Sequence, residues 1–257
     1  VMVLSRTGGA EDLRRDLPPG RRSWYCLLMQ LLYAALLAMV YTNDLFTAYV
    51  FIEIAAVTTC VAVVAKESGR AVVAAIRYLI FSCLGSGLIL LGIAVLYGVT
   101  GHLLMEDLSE VVARLADSGE YALPLTAAAL LMTLGLAIKS AQFPFPTWLP
   151  DAHANATTSA SAIHSGIVVK GYIILLVKLI VRVFGRDVLV SFYIHELLFL
   201  LGLAGMLFTS VAALRQEEVK RMVAYSTAAQ ISYIFLALGL GSRAGAAGAC
   251  FQGLAHA

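Results

Sequence analysis

The sequence predicts an all-α fold, a polytopic bundle of transmembrane helices, on three observations. Of its 257 residues, 60% are hydrophobic and 13% charged, whereas an average soluble domain is about a quarter charged. Apolar runs recur along the chain, and about eight reach the roughly 20 residues that a helix needs to cross a hydrocarbon core of about 30 Å. The short polar loops between runs collect Lys and Arg unevenly, as loops that set membrane topology do.

Residues 5–22, SRTGGAEDLRRDLPPGRR, are polar and rich in Gly, Pro and Arg, which predicts a solvated loop over residues 1–23. That stretch lacks the apolar core of a signal peptide, and a chain opening on Val is expected to begin inside a longer parent. Spans are predicted at about 24–42, 46–65, 72–98, 122–150 (broken), 157–181, 192–213, 222–240 and from 246 onward, the chain stopping at Ala257 partway through a helix. Counting basic residues in alternate loops puts Arg6, Arg14, Arg15, Arg21, Arg22, Lys66, Arg70, Arg77, Arg215, Lys220 and Arg221 on one side, predicted cytoplasmic. Arg114, Lys178, Arg182, Arg186 and Arg243 fall opposite, beside the acidic Glu106, Asp107, Glu110, Asp117 and Glu120. The LSEVVARLA stretch of that acidic loop has the apolar spacing of a short helix lying on the membrane surface.

Four ionisable residues, Glu53, Lys139, His164 and Lys170, lie well inside apolar runs. A charge at the bilayer centre costs about 2.5 to 3.5 kcal/mol on insertion scales, so such residues usually face a bundle interior or water. At about 1.5 Å per residue, Glu53 sits roughly 10 Å into its helix and Lys170 roughly 20 Å into its own, both near mid-membrane. His164 precedes Lys170 by about two turns and lies about 120° round the helix from it at 100° per residue. Lys139 stands within a turn of the break marked by Pro144, Pro146 and Pro150. Proline removes a backbone donor, and non-helical backbone at membrane depth is tolerated only against protein or a watery cavity. The break therefore predicts enclosed polar space beside Lys139. A lone lysine near a helix end could instead snorkel to an interface, but acid, amine and imidazole at similar depth in different helices form the set a proton relay requires.

Other residues have plainer readings. His195 and Glu196 open a span and read as interfacial, Lys178 and Arg182 as anchors closing one, and His102 as a loop residue. Asp151 and His153 follow the break and either cap the next helix or line a water entrance. Trp24, Tyr25 and Trp148 suit interfacial belts. FSCLGSGLILLG (81–92) permits close helix packing. Cys26, Cys60, Cys83 and Cys250 stand singly in apolar runs, without the spacing of a metal or cluster site. No flavin, haem, iron–sulfur or nucleotide motif is present, so no cofactor or metal is expected, and nothing in the composition supports nucleic-acid binding.

The stretch AIKSAQFPFPTWLPDAHANATTSASAIHSGIVVKGY resembles the proton-conducting antiporter-like membrane subunits shared by respiratory complex I, multisubunit sodium/proton antiporters and membrane-bound hydrogenases. EEVKRMVAYSTAAQISYIFLALG resembles the same family's later signature and FIEI its glutamate-bearing helix. The resemblance implies two inverted five-helix repeats, each with one broken helix. Residues 24–181 would be the first repeat and 182–257 the incomplete start of the second. It makes Glu53 the acid paired with the broken-helix Lys139, Lys170 the central lysine of the next helix, His164 the histidine before it, and His256 the start of the helix that passes protons onward. One departure is ATTSASA, where the family has a Pro-rich PTPVSA-like turn.

The expected function is proton translocation as a non-catalytic membrane subunit of a redox-driven complex, of NADH:quinone oxidoreductase or membrane-bound hydrogenase type. The alternative is a multisubunit Na⁺/H⁺ antiporter without redox partners, and a rival of another class is a structural subunit whose buried charges only hold helices together. The partners expected are other membrane subunits, protons, possible Na⁺ and the lipid of a bacterial or archaeal inner membrane.

Overall fold

The computed structural model describes residues 15–66 and 68–256. Most of the loop predicted over 1–23, with Arg6 and Arg14, lies outside them.

The first helix, α1 (Pro19–Tyr41), opens on a proline whose missing N–H costs nothing at the first helical position. Tyr25, Met29, Leu32, Leu36 and Met39 form its buried stripe, three or four residues apart. In α2 (Leu45–Val64), the Asp44 carboxylate caps the start by accepting from the Thr47 N–H at 2.6 Å. Ser68 caps α3 (Gly69–Thr100) in the same way through Ala71 at 3.1 Å, and Gly101, at φ 74°, ends it in the left-handed conformation that glycine adopts freely.

Next, α4 (Met105–Ser118) is the expected amphipathic helix, burying Met105, Leu108 and Val112 and turning acidic residues outward. Two backbone bonds, Leu45 N–H to Leu103 O at 3.0 Å and Met105 N–H to Asn43 O at 2.9 Å, clip its start to the α1–α2 turn.

The broken span comprises α5 (Ala122–Lys139) and α6 (Trp148–Asn155), separated by an irregular stretch with Ala141 at φ 56°. Pro144 and Pro146 lie in that stretch, whereas Pro150 is in the first turn of α6, where no intrahelical N–H is needed.

The following span runs through α7 (Thr158–Ile163), a π-helical turn (His164–Val168), α8 (Val169–Leu179) and a second π turn (Ile180–Phe184). Thr157 caps it by accepting from the Ala160 N–H at 3.2 Å. A π turn holds more residues per turn than an α-helix, so the 100° spacing used to separate His164 from Lys170 does not hold across it.

After the short α9 (Arg186–Ser191) come α10 (Ile194–Leu214), α11 (Val219–Gly239) and α12 (Arg243–His256). Among the described residues six helices, α1, α2, α3, α5, α10 and α11, are long and apolar enough to cross a membrane. The two further predicted spans are the π-interrupted segment and the 14-residue α12.

Glycine sets the closest crossing. A Cβ on Gly135 of α5 would lie 2.6 Å from the backbone oxygen of Gly85 on α3, so only hydrogen fits between these helices. This contact lays α5, and Lys139 at its end, against α3.

Two aromatic expectations are corrected. Trp148 is 2% exposed and its indole N–H donates to Ile138 O, near the end of α5, at 3.2 Å. Tyr25 is buried too, its hydroxyl within 2.7 Å of Thr157 Oγ1 and 2.9 Å of Ser159 Oγ. Each polar edge finds a partner inside the protein, which removes the reason to sit in a headgroup layer. His195, read as interfacial, is likewise buried, its Nδ1 3.2 Å from Leu238 O.

Candidate functional site

Lys139 is the last residue of α5, and its side chain is 1% exposed. Its Nζ donates to Ser82 Oγ on α3 at 2.7 Å and lies 3.7 Å from Glu53 Oε1 on α2. The Tyr172 ring of α8 stands 5.8 Å from the same nitrogen, the distance at which an aromatic face still attracts a cation. Four helices thus converge on one ammonium. Glu53 Oε1 is buried, but the carboxylate side chain as a whole is 36% exposed at the rim of the bundle.

The break beside Lys139 leaves its helix-end carbonyls satisfied. Leu136 O accepts from the Ser140 N–H at 2.9 Å, and Ala137 O from the Gln142 N–H at 2.9 Å. Gln142, fully buried, donates through Nε2 to Leu201 O of α10 at 2.6 Å and accepts from Ser232 Oγ of α11 at 3.0 Å. The irregular backbone is therefore held by protein on both sides, as membrane depth requires.

Lys170 forms a second centre. It is buried, and its Nζ donates to Ser165 O and lies 2.6 Å from His256 Nδ1. It also lines a largely apolar cavity of about 670 Å³ between α1, α8 and α12.

His164 belongs to neither pair. Its ring is packed among Tyr78, Trp148 and His153 at centroid distances of 5.8, 5.5 and 5.4 Å, and its Nε2 is buried without a partner. At the adjoining rim, Asp151 binds Arg77 of α3 and, at 2.9 Å, Arg221 of α11. Arg77 and Arg221, assigned to one side by the loop count, thus come together in space on Asp151.

No individual role was legible in the sequence for Tyr78, Ser82, Ser86 or Gln142, and Trp148 read from it only as an interfacial ring. A signal for three of them was present: Tyr78, Ser82 and Ser86 recur every fourth position on an apolar helix, which places them on one face. Lys178 goes further than anchoring: it donates to Val40 O at 2.8 Å and to Thr42 O, the open carbonyls at the end of α1. Among the described residues no three His, Cys, Asp or Glu side chains are grouped to hold a metal.

Apolar helices with buried ionisable pairs and a break at membrane depth define an integral, multi-pass membrane protein of the antiporter-like class. Residues 42–257 match the family described as NADH:quinone oxidoreductase/Mrp antiporter, TM, and the chain belongs to that family. It is 36% identical over 240 residues to NADH-quinone oxidoreductase subunit N of Desulforudis audaxviator, covering 93% of this chain and 46% of that relative. With subunit N 1 of Rhizobium meliloti it shares 30% over 249 residues, 96% of this chain and 49% of the relative. The chain thus spans about half the length of these relatives.

Among solved structures, the membrane-bound sulfane sulfur reductase, an archaeal respiratory membrane complex, contains a chain that superposes with a TM-score of 0.81 at 31% identity, over 90% of this chain and 46% of that one. The Mrp complex from a Dietzia species gives 0.78 at 27%, over 89% and 42%.

Proposed function

We propose that this chain belongs to the proton-translocating membrane subunit of a redox-driven complex, of the NADH:quinone oxidoreductase or membrane-bound hydrogenase type. Lys139 carries the reading: an amine buried at a helix break, held by one carboxylate and one hydroxyl from two other helices. Glu53 stabilises the ammonium form, and moving the two apart favours release of the proton toward Lys170 and His256. Carboxylate and amine in partly desolvated surroundings interact by about 1 to 4 kcal/mol, enough to gate a proton when the pair opens.

In this reading, residues 24–181 are the first five-helix repeat and 182–257 the start of its inverted mate. Electron transfer resides in other subunits of the complex, and the host membrane is a bacterial or archaeal inner membrane. The partly exposed Glu53 supports a neighbouring membrane subunit as partner, because an ionised carboxylate at that depth is covered by protein or water in preference to lipid.

A second reading, a Na⁺/H⁺ antiporter subunit, is favoured by the likeness to the Mrp complex. Sealed vesicles carrying the assembled complex distinguish the two. Electron donor should drive acidification that Lys139→Ala abolishes, with no requirement for Na⁺. Sodium-dependent proton flux without any donor would establish the antiporter reading, and normal donor-driven pumping by Lys139→Ala would overturn the role given to the lysine.

A further inference from the structure

Apart from the two lysine centres, the arginine-rich rim holds a cleft of about 310 Å³ between α3, α6 and α11, whose lining includes Arg70, Val73, Arg77, Asp151, Asn155 and Arg221. Arg70, Val73 and Arg77 follow one another at three- and four-residue steps, so they share one face of α3. Asp151 fixes two of the three guanidiniums: its Oδ2 accepts from Arg77 Nη1, and its Oδ1 lies 2.9 Å from Arg221 Nη2. Arg221 Nε also meets Glu218 at 3.2 Å. A guanidinium carries five N–H donors, so these contacts leave most donors of Arg77 and several of Arg221 for a further acceptor. Arg70 is exposed and forms no ion pair among the described residues. Even with Glu218 counted beside Asp151, cations outnumber carboxylates at the cleft.

The depth of these arginines narrows the choice of acceptor. The 32 residues of α3 extend about 48 Å, about 18 Å more than a hydrocarbon core of about 30 Å. Sharing that excess between the two ends puts Arg70 among the headgroups and Arg77, about 10 Å further along, where headgroups meet acyl chains. The Arg77 side chain is 60% exposed, and a charge at that level is met by water, protein or phosphate in preference to an acyl chain. The same side of α3 is otherwise apolar and open, with Val73, Ile76 and Ile80 each more than half exposed. A free phosphate would leave that apolar track unused, whereas a phosphate with acyl chains attached fits both parts.

We propose that this cleft binds the phosphate of an anionic phospholipid, held by Arg70, Arg77 and Arg221, with its acyl chains along Val73, Ile76 and Ile80. Guanidinium suits the role because its planar fork can give two parallel N–H bonds to one phosphate. The loop count predicts this rim to be cytoplasmic, the leaflet whose anionic lipids attract basic segments.

The test places the assembled complex in phosphatidylcholine vesicles containing phosphatidylglycerol with a photoreactive acyl chain. The probe should label residues 69–80, and unlabelled phosphatidylglycerol should compete where phosphatidylcholine and, at matched ionic strength, inorganic phosphate do not. Arg70→Gln leaves both Asp151 bridges in place and should cut labelling about fivefold, the effect of one basic residue near a membrane surface. Arg70→Lys, which keeps the charge, should retain most of it. Equal labelling by a phosphatidylcholine probe, or undiminished labelling of Arg70→Gln, would overturn the site, and competition by inorganic phosphate would overturn the lipid in favour of a free anion. A density map of the wild-type complex decides independently of the variants. A headgroup peak among the three arginines supports the proposal, and side chains of a neighbouring subunit in that place refute it.

Discussion

At the scale of single residues, Lys139 differs from an ordinary buried ion pair in having a hydroxyl closer than its carboxylate. Ser82 Oγ is 2.7 Å from Nζ, and Glu53 Oε1 is 3.7 Å away. The hydroxyl both accepts from the ammonium and can donate to the free amine, so it remains a partner in either protonation state. The carboxylate, when ionised, stabilises only the charged form. Glu53→Gln should therefore leave the chain inserted and assembled while removing the element that holds the proton. Proton pumping is expected to fall by about tenfold or more, since breaking a buried pair costs about 3 to 5 kcal/mol when fully desolvated and less at a partly exposed site. Pumping per electron in sealed vesicles checks this, and an unchanged ratio would assign Lys139 another counter-charge.

At the scale of elements, the position of Lys139 depends on how closely α5 approaches α3. The Gly85–Gly135 crossing leaves no room for a side chain, because a Cβ on Gly135 would meet the Gly85 backbone oxygen, which cannot swing aside, as well as Ile89 Cγ1, each at 2.6 Å. Gly135→Val should part the two helices, lengthen the Lys139–Ser82 bond and destabilise the protein by about 1 to 3 kcal/mol, the usual range for overpacking. Thermal unfolding in detergent would register the loss. A midpoint equal to wild type would mean that the crossing is looser than its geometry implies.

Much at this scale was legible in the sequence. Apolar run length pointed to the spans and the prolines to the break beside Lys139. The fate of Trp148 and Tyr25 was not legible. A sequence shows an amphipathic ring but not whether a carbonyl or hydroxyl from a distant segment will meet its polar edge, and here Ile138 O and Thr157 do. The π turn at His164–Val168 was hidden for a similar reason: tertiary packing decides whether one residue is accommodated in a wider turn, and no spacing of apolar residues reveals it. Lys139 and Glu53 stood out as charges in apolar runs, whereas their hydroxyl partner Ser82 is an unremarked residue until α3 is laid against α5.

At the scale of the whole molecule, the chain joins two groups of helices through the broken span. Gln142 ties the break to α10 and α11, and these two helices are themselves tightly apposed at Gly202 and Gly239, where a Cβ would come within 2.3 Å of the backbone nitrogens of Leu236 and Phe199. Lys170 and His256 meet on the side of α12. A displacement of the later helices therefore has a direct mechanical connection to the segment that carries Lys139. In the proposed function the buried charges form a path for protons, whereas a structural subunit would use the same charges only to hold helices together. Exchanging the two partners separates these possibilities: Glu53→Lys combined with Lys139→Glu preserves the ion pair but moves the amine away from Ser82. Proton translocation by the doubly substituted complex in sealed, donor-energised vesicles is the measurement to make. If Lys139 carries the proton, the complex assembles but no longer translocates; normal translocation by the exchanged pair would show that the charges serve only to hold the helices.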